Sequence, residues 1–493
     1  MALSVASAHA EDCNALVPEV ANDLIEAPVP KAENRWRAIE RIWRESFDLV
    51  RQDVERSLRN SGISPVADVI QGRTHDPLRE AIIHGRDDLA HSLLAIWQMP
   101  LDVLSKRDRV NVYYLTPERR HSEARLAAEH AMWVGPDGFE SVLYSAIYLA
   151  GATDVVVAIT RRPADKRSRA MVKFAKDIGE LALDHYKRWA FGPPKIWQVR
   201  GWGCEASGLD LVEFTRRRLD RSLGNGRLPY CVAPTDIDML IAIGITNLLA
   251  VGSTAPELVT VPDDDRGRLV ELLRVQSQFF ASRVEYGFSA DAYGKFTETA
   301  DFDPATWASH PDFVYVGNDS PAFPALPVSA GIRVGWDFAH GVRIAWTALA
   351  LAEHGLDHGF DWARFADAFA GQVAHRVLDD KADVPRFRNY LDGSNGWYRV
   401  NPVAGTGIPP FGLSRAFLAA PWAHLGARDD RLVKATRVMW KALAAPTPEQ
   451  CRLLKEIYVE GSYWKDRKPA GAPISGPYYG LHLLPFLAVA PVR

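Results

Sequence analysis

Val328 to Leu351 reads Val-Ser-Ala-Gly-Ile-Arg-Val-Gly-Trp-Asp-Phe-Ala-His-Gly-Val-Arg-Ile-Ala-Trp-Thr-Ala-Leu-Ala-Leu. At the helical step, Val334, Phe338, Val342, Ala345 and Leu349 share one apolar face. Arg333, Asp337 and His340 fall together on another, with Trp336 beside them. The spacing therefore predicts a helix whose first turns carry a cation, a carboxylate, an imidazole and an indole. The alternative is a solvated polar stripe with one half-buried Trp. A Gly/Pro/Asn-containing approach, Val316 to Pro327, precedes the stretch and would open that end onto loops, where sites tend to sit.

The same helical period recurs along the chain. Lys31–Arg59 is long and amphipathic, and Pro77–Trp97 follows with Pro77 near its first turn. Further helices are expected at His121–Trp133, Gly138–Ala150, Asp165–Ala190, Leu209–Leu223, Thr235–Val251, Asp263–Val284, Asp361–Leu378, Gly412–Gly426, Arg428–Leu443, Thr447–Val459 and Tyr478–Val489. Thr447-Pro448-Glu449-Gln450 is a capping-box pattern, and Thr235-x-x-Asp238 resembles one. Strand signals are few: Asp154–Ile159 and Asp312–Val316. No repeat and no Gly/Ser linker divides the chain. Long loops are expected at Leu101–Leu115, Gly192–Ser207, Glu285–Pro327 and Asp380–Pro410. The expected architecture is one large all-α domain of helical hairpins spanning residues 11–493, with the long loops gathered at one end.

The chain has 493 residues, 47% hydrophobic and 24% charged, which is globular composition with enough apolar residues for a large core. Its formal net charge of -3 makes no general case for nucleic acid or an anionic membrane. No run of about 18 uninterrupted apolar residues suggests a membrane span. Ala8-His9-Ala10 fits a small-x-small signal-cleavage pattern, so residues 1–10 read as the remnant of a signal peptide or as an Ala/Ser tail. The first reading implies a periplasmic or secreted protein. Cys13, Cys204, Cys231 and Cys451 lack metal or redox spacing; Cys204–Cys231 would close a modest loop, but spacing alone does not settle the pairing. No P-loop, Rossmann fingerprint, nucleophile elbow or EF-hand is present, so neither a cofactor nor a metal is expected.

Several of the 15 tryptophans lie in loops rather than on apolar helix faces. Trp197 and Trp202 flank a Gly-rich stretch that ends in Glu205, and Trp397 follows Asn395 and Gly396. Loop indoles can stack on the C–H face of a sugar, or can anchor loops on a core. Glu205 beside two indoles could hold its proton and act as a general acid, or could be a surface residue near a helix N-terminus. Asp236 and Asp238 open a very apolar helix, as paired carboxylates or as caps. Asn389–Pro410 holds Asp392, Asn395, Trp397, Tyr398, Arg399 and Asn401, to line a cleft or to satisfy its own turns. His121–His130 lacks HExxH spacing, and the basic runs at 161–169 and 216–218 read as solvated faces.

Helical hairpins, loop tryptophans and scattered loop carboxylates together resemble the six-hairpin (α/α)-toroid carbohydrate-active enzymes, which include glycoside hydrolases and polysaccharide lyases. Pro234-Thr-Asp-Ile-Asp-Met239 is similar to the acidic opening of an apolar helix in cellulase-like inverting members, and Ser329 to His340 to a later Arg- and Trp-containing helix. The acid-bearing Ser-Glu-Gly-Gln type motif is absent, because Ser122-Glu123 is followed by Ala-Arg. The resemblance implies an (α/α) toroid and a periplasmic or secreted glycoside hydrolase acting on a polysaccharide. Glu205 would be the acid and Asp337, Asp392 or Asp236 its partner. Trp197, Trp202, Trp336 and Trp397 would form subsites, with Arg333, His340, Asn395, Tyr398 and Arg399 binding substrate. A lyase would instead use Tyr398 or His340 for proton transfer, with Arg399 or Arg333 neutralising a uronate. A non-catalytic glycan-binding or export protein needs neither set, and a cation-stabilising cyclase is a more distant reading.

Overall fold

The computed structural model describes residues 16–26, 31–60, 63, 66–67, 70–104, 132–133, 142–191, 209–223, 229–290, 294–320, 328–331, 333–354, 358–460, 463–464 and 477–489. The protein is mostly helical, with few and short strands, as its periodicity predicts. Its chain divides into two compact units. One comprises Met1–Arg44, Arg283–Leu349 and Asp361–Arg493; the other comprises Glu45–Ser282 and Ala350–Phe360.

The second unit is built on two helices that are apolar all round, Val142–Arg161 and Asp236–Thr254, which pack on each other. An all-round apolar helix belongs in an interior. Both are long and apolar enough to cross a membrane, yet 78% of each apolar window is buried inside the fold. Two glycines let aromatic side chains of neighbouring helices press against them. A Cβ on Gly244 would lie 1.6 Å from the Tyr186 hydroxyl, and one on Gly151 2.7 Å from the Trp97 ring. The amphipathic helix Arg169–Phe191 packs on both, and Asp263–Ala281 packs on Asp236–Thr254. The β-branched run Asp154–Ile159, which reads as a strand, is helical here because burial on every side supplies the packing that a strand would otherwise need. The expected helix Pro77–Trp97 is two, His75–Ile83 and Asp87–Leu104, separated by a turn in which Gly85 has φ +67°.

In the first unit, helices Trp362–Gln372, Ala420–Gly426, Asp430–Ala444 and Pro477–Val489 surround an aromatic stack. Phe338 lies 4.8 Å from Phe387 and 4.6 Å from Trp422, and Phe387 lies 4.4 Å from Phe417. Three small sheets were not expected. β1 (Val284–Ala290) and β2 (Phe296–Phe302) form an antiparallel hairpin. β5 (Tyr398–Asn401), β6 (Thr406–Ile408) and β7 (Tyr463–Trp464) form a small antiparallel sheet, and β3 (Leu378–Asp379) pairs with β4 (Arg386–Phe387). The expected strand Asp312–Val316 is a 3-10 turn at Pro311–Phe313 followed by further turns.

Candidate functional site

Val328–Leu351 is not one helix. The helix is Gly341–Glu353, and the residues from Arg333 to His340 approach it through a bridge and a turn. Gly335 is the reason. A Cβ there would lie 2.4 Å from the Phe302 carbonyl oxygen, so the chain runs hard against the end of β2. The next residues pair with the other stretch singled out in sequence. Phe338 N–H donates to the Asn389 carbonyl (2.8 Å), Leu391 N–H to the Trp336 carbonyl (2.9 Å), and Asp337 bridges Tyr390. Arg333, Asp337 and His340 therefore share a neighbourhood with Asp392–Arg399 through strand-like pairing rather than through a helical face.

Asp337 is saturated. Its Oδ1 accepts the N–H groups of Ala339 and His340 (3.0 Å each), and its Oδ2 lies 2.7 Å from His340 Nδ1. Burial works to raise its carboxyl. The charge and hydrogen bonds of His340, with Arg399 adding, outweigh burial and hold it below the usual carboxylate range. A carboxylate 2% exposed and holding three bonds is not placed to act on a ligand. Its role is to orient His340, whose side chain is 27% exposed and whose ring lies 6.5 Å from that of Tyr398.

The 389–410 stretch mostly serves itself. Asn395 Oδ1 accepts from Asn389 N (3.2 Å) and Phe411 N (2.9 Å). Trp397 is wholly buried, its indole donating to the Ser320 carbonyl at 2.7 Å. Trp336 is 5% exposed. Neither indole has a face to offer a sugar; both anchor loops on the core. Tyr398 is 3% exposed, and burial followed by the charge of Asp337 pushes its phenol far up. Arg399 is exposed, with Nε donating to Asp312 Oδ2 at 2.8 Å, and it holds a left-handed φ of +50°. Such strain in a non-glycine residue clusters at functional sites. Asp392 is part-exposed; its Oδ1 accepts from Ser394 N (2.9 Å) and Oγ (2.6 Å).

Two further carboxylates lie on strands within the stretch expected as a loop, Glu285–Pro327. Glu285 and Asp301 face each other across β1 and β2. Like charges directly opposed weaken a ladder. Arg333 answers them, its Nη2 lying 2.7 Å from Glu285 Oε2 and 3.6 Å from Asp301 Oδ2. Asp301 is pushed up to about 6, by burial first and then by the charge of Asp392, with Arg333 pulling the other way. Its side chain remains 15% exposed. Two residues on, wholly buried Asp303 is pushed up to about 7 by burial, against the Thr306 hydroxyl, the charge of Arg283 and the indoles of Trp336 and Trp307. Its φ is +55°. The available sequence signal is alternation: Val284-Glu-Tyr-Gly-Phe-Ser-Ala290 places its aromatics on one face, and Phe296-Thr-Glu-Thr-Ala-Asp-Phe302 does so apart from Glu298, with Thr297, Thr299 and Asp301 on the other.

Asp236 lies in the other compact unit, in the first turn of Asp236–Thr254. Its neighbour Asp238 makes a bidentate pair with Arg218 (2.6 and 2.8 Å) and accepts the Thr235 N–H (2.8 Å). The Arg218 guanidinium lies 4.4 Å from the Phe214 ring centroid and 4.7 Å from that of Phe279. With Asp238 wholly engaged as cap and ion pair, these two residues are not a free acid–base couple. Glu205, Trp197 and Trp202, and the His121–His130 stretch, lie outside the described residues. The basic runs are only partly the solvated faces expected: Arg162 and Arg167 are mostly buried where they pair with Asp87 and Glu257, and Arg218 is wholly buried against Asp238. Cys231 and Cys451 each take part in a disulfide, and Cys204 lies outside the described residues.

The first unit thus holds two polar groups, one of Glu285, Asp301 and Arg333 with the charge of Asp392 acting on Asp301, the other of Asp337, His340, Arg399 and Asp312. Among the described residues no cluster of three or more His, Cys, Asp and Glu is arranged to hold a metal ion. The chain matches no known family, no curated protein and no solved structure.

Proposed function

We propose that this protein is an exported glycoside hydrolase in which Asp301 is the general acid and Asp392 the general base. The observation that carries the reading is Asp301 itself: a carboxyl still reachable by solvent, held up to about 6 by burial and by the charge of Asp392. A carboxyl that holds its proton toward neutral pH can serve as a general acid. Asp301 gives its proton to the glycosidic oxygen as the C–O bond breaks. Asp392 takes a proton from the water whose oxygen bonds to the anomeric carbon. Arg333, touching both Glu285 and Asp301, fixes the acid in place.

An (α/α) toroid is the arrangement we propose for the helices. Its support is the alternation of all-round apolar helices, Val142–Arg161 and Asp236–Thr254, with amphipathic ones, Arg169–Phe191 and Asp263–Ala281. Export is supported by the disulfide-bonded state of Cys231 and Cys451, since disulfides persist in oxidising compartments.

One observation favours a second reading. The Asp337–His340 pair, with Tyr398 and Arg399 beside it, is also the equipment of a polysaccharide lyase. Product chemistry separates the two. Incubation with neutral, amine-bearing and uronate-containing polysaccharides should release new reducing ends without ultraviolet-absorbing unsaturated ends. Unsaturated ends would replace hydrolysis with elimination, and binding without cleavage would make the protein a glycan binder.

A further inference from the structure

We infer that two copies of this chain pair edge to edge along β1, forming a symmetric four-stranded sheet; this pairing does not depend on the hydrolase reading. One edge of β1 pairs with β2, and its other edge meets no strand among the described residues. Such an edge is a row of backbone donors and acceptors that a further strand can answer. Helix Trp362–Gln372 packs mainly on the β2 side. Sheets commonly blunt an open edge with proline, lysine or a bulge. β1 holds no Pro and no Lys, and its register with β2 is unbroken over its whole length. Its single charge, Glu285, is answered within the chain by Arg333. Tyr286, Phe288 and Phe296 share one face of the hairpin and are the exposed aromatics among the described residues, Phe288 at 64% and Phe296 at 71%.

The strand that fits this edge is β1 itself, run antiparallel. Val284-Glu-Tyr-Gly-Phe-Ser-Ala290 overlaps fully with its own copy when Gly287 faces Gly287. Tyr286 then lies opposite Phe288, Glu285 opposite Ser289, and Val284 opposite Ala290, each pair occurring twice. Residues directly opposite point to the same face, so the aromatic faces of both hairpins fall on one side of the new sheet. Aromatic cross-strand pairs stabilise a sheet, and like charges directly opposite weaken it. In this register each carboxylate meets a hydroxyl. A register centred on Glu285 would oppose the two carboxylates and leave Phe288 beyond the overlap. The pairing brings Ser289 of the second copy beside Glu285, and so adds a hydroxyl to the polar group of Glu285, Asp301 and Arg333. One short strand edge buries less than the roughly 1,200 Å² of a stable complex, so the dimer forms with concentration, with a Kd on the order of 10 µM.

The test is sedimentation velocity of the full chain between about 1 and about 200 µM, on wild type, Ser289→Lys and Ser289→Glu. Ser289 lies opposite Thr297 within the hairpin, so neither substitution sets a charge against a charge inside one copy. Wild type should pass from monomer to dimer across this range. Ser289→Lys sets an ammonium opposite Glu285 at both ends of the pairing and should tighten the dimer about tenfold, a gain that shrinks in about 0.5 M salt. Ser289→Glu sets carboxylate against carboxylate and should loosen it about tenfold. Urea unfolding of both variants at low concentration should match wild type, which separates loss of pairing from loss of fold. A wild type that stays monomeric to about 200 µM, or a dimer whose strength neither substitution moves, overturns the pairing and leaves the hydrolase reading untouched.

Discussion

Two carboxylate-bearing regions, one in each compact unit, resolve in opposite ways. Asp238 meets Arg218 in a buried, bidentate, charge-balanced pair capped by Thr235. Asp301 meets Arg333 at 3.6 Å in a part-exposed group that also holds Glu285 and Asp392 and carries more negative than positive charge. In the first, both terminal guanidinium nitrogens and both carboxylate oxygens are engaged, so the pair stabilises the fold. In the second, charge is left over and the cost appears as a proton held to about 6. Satisfied polar groups fix structure, and imbalance near the surface is what a ligand can answer.

That contrast can be broken from either side. Arg218→Ala should be the most damaging change, costing roughly 3–5 kcal/mol because Asp238 would be left buried and unpaired. Urea unfolding checks it; a loss under about 1 kcal/mol would mean that water reaches the site, removing the distinction between the two regions. Asp301→Asn should act the other way, with stability near wild type and glycan cleavage down by about 10²–10³-fold. A variant that unfolds, or that cleaves normally, would move Asp301 to the structural side.

Stability against pH should also separate the units. Asp303 in the first unit is raised to about 7 from an ordinary value near 4, so its folded form binds the extra proton. Its contribution is present below about pH 4 and is lost as pH rises through 7. His75 in the second unit is wholly buried. Burial lowers it, but Asp76 and Asp154 together raise it to about 9. Its contribution is present below about pH 6.5 and is lost as pH rises through 9, on the order of 3 kcal/mol. Two declining legs are expected in a plot of unfolding free energy against pH. Asp303→Asn should flatten the lower leg and His75→Gln the upper; a curve unchanged by both would remove the assignments.

The helices were legible because their apolar period is set by burial on one side. Ala32–Asn60, Asp263–Ala281 and Asp430–Ala444 start and stop within a few residues of expectation. The Thr447-x-x-Gln450 capping box is present as read, with Thr447 Oγ1 accepting from Gln450 N at 3.2 Å. Thr447→Ala should cost only about 1 kcal/mol, the smallest effect expected here, and loss of more than about 2 kcal/mol would mean that the cap does more than end a helix. The site was legible only in part. Arg333, Asp337 and His340 were expected on one helical face, but that face does not exist, since Gly335 holds the chain against the Phe302 carbonyl before the helix begins. Asp301 was missed because its importance comes from a partner 91 positions away, Asp392, and from burial that alternation within one short strand does not announce. Trp397 misled for the opposite reason: an indole among glycines reads as exposed, whereas those glycines let the chain fold over it.

The central claim is that Asp301, protonated, delivers the proton to the leaving oxygen. The measurement that tests it most directly is the pH profile of kcat/KM for glycan cleavage by wild type and Asp301→Asn. Wild-type activity should fall with a limb near pH 6, where Asp301 loses its proton, and that limb should be missing from the residual activity of the variant. A limb of the same midpoint in both proteins, or full activity of the variant at pH 5, would contradict the account.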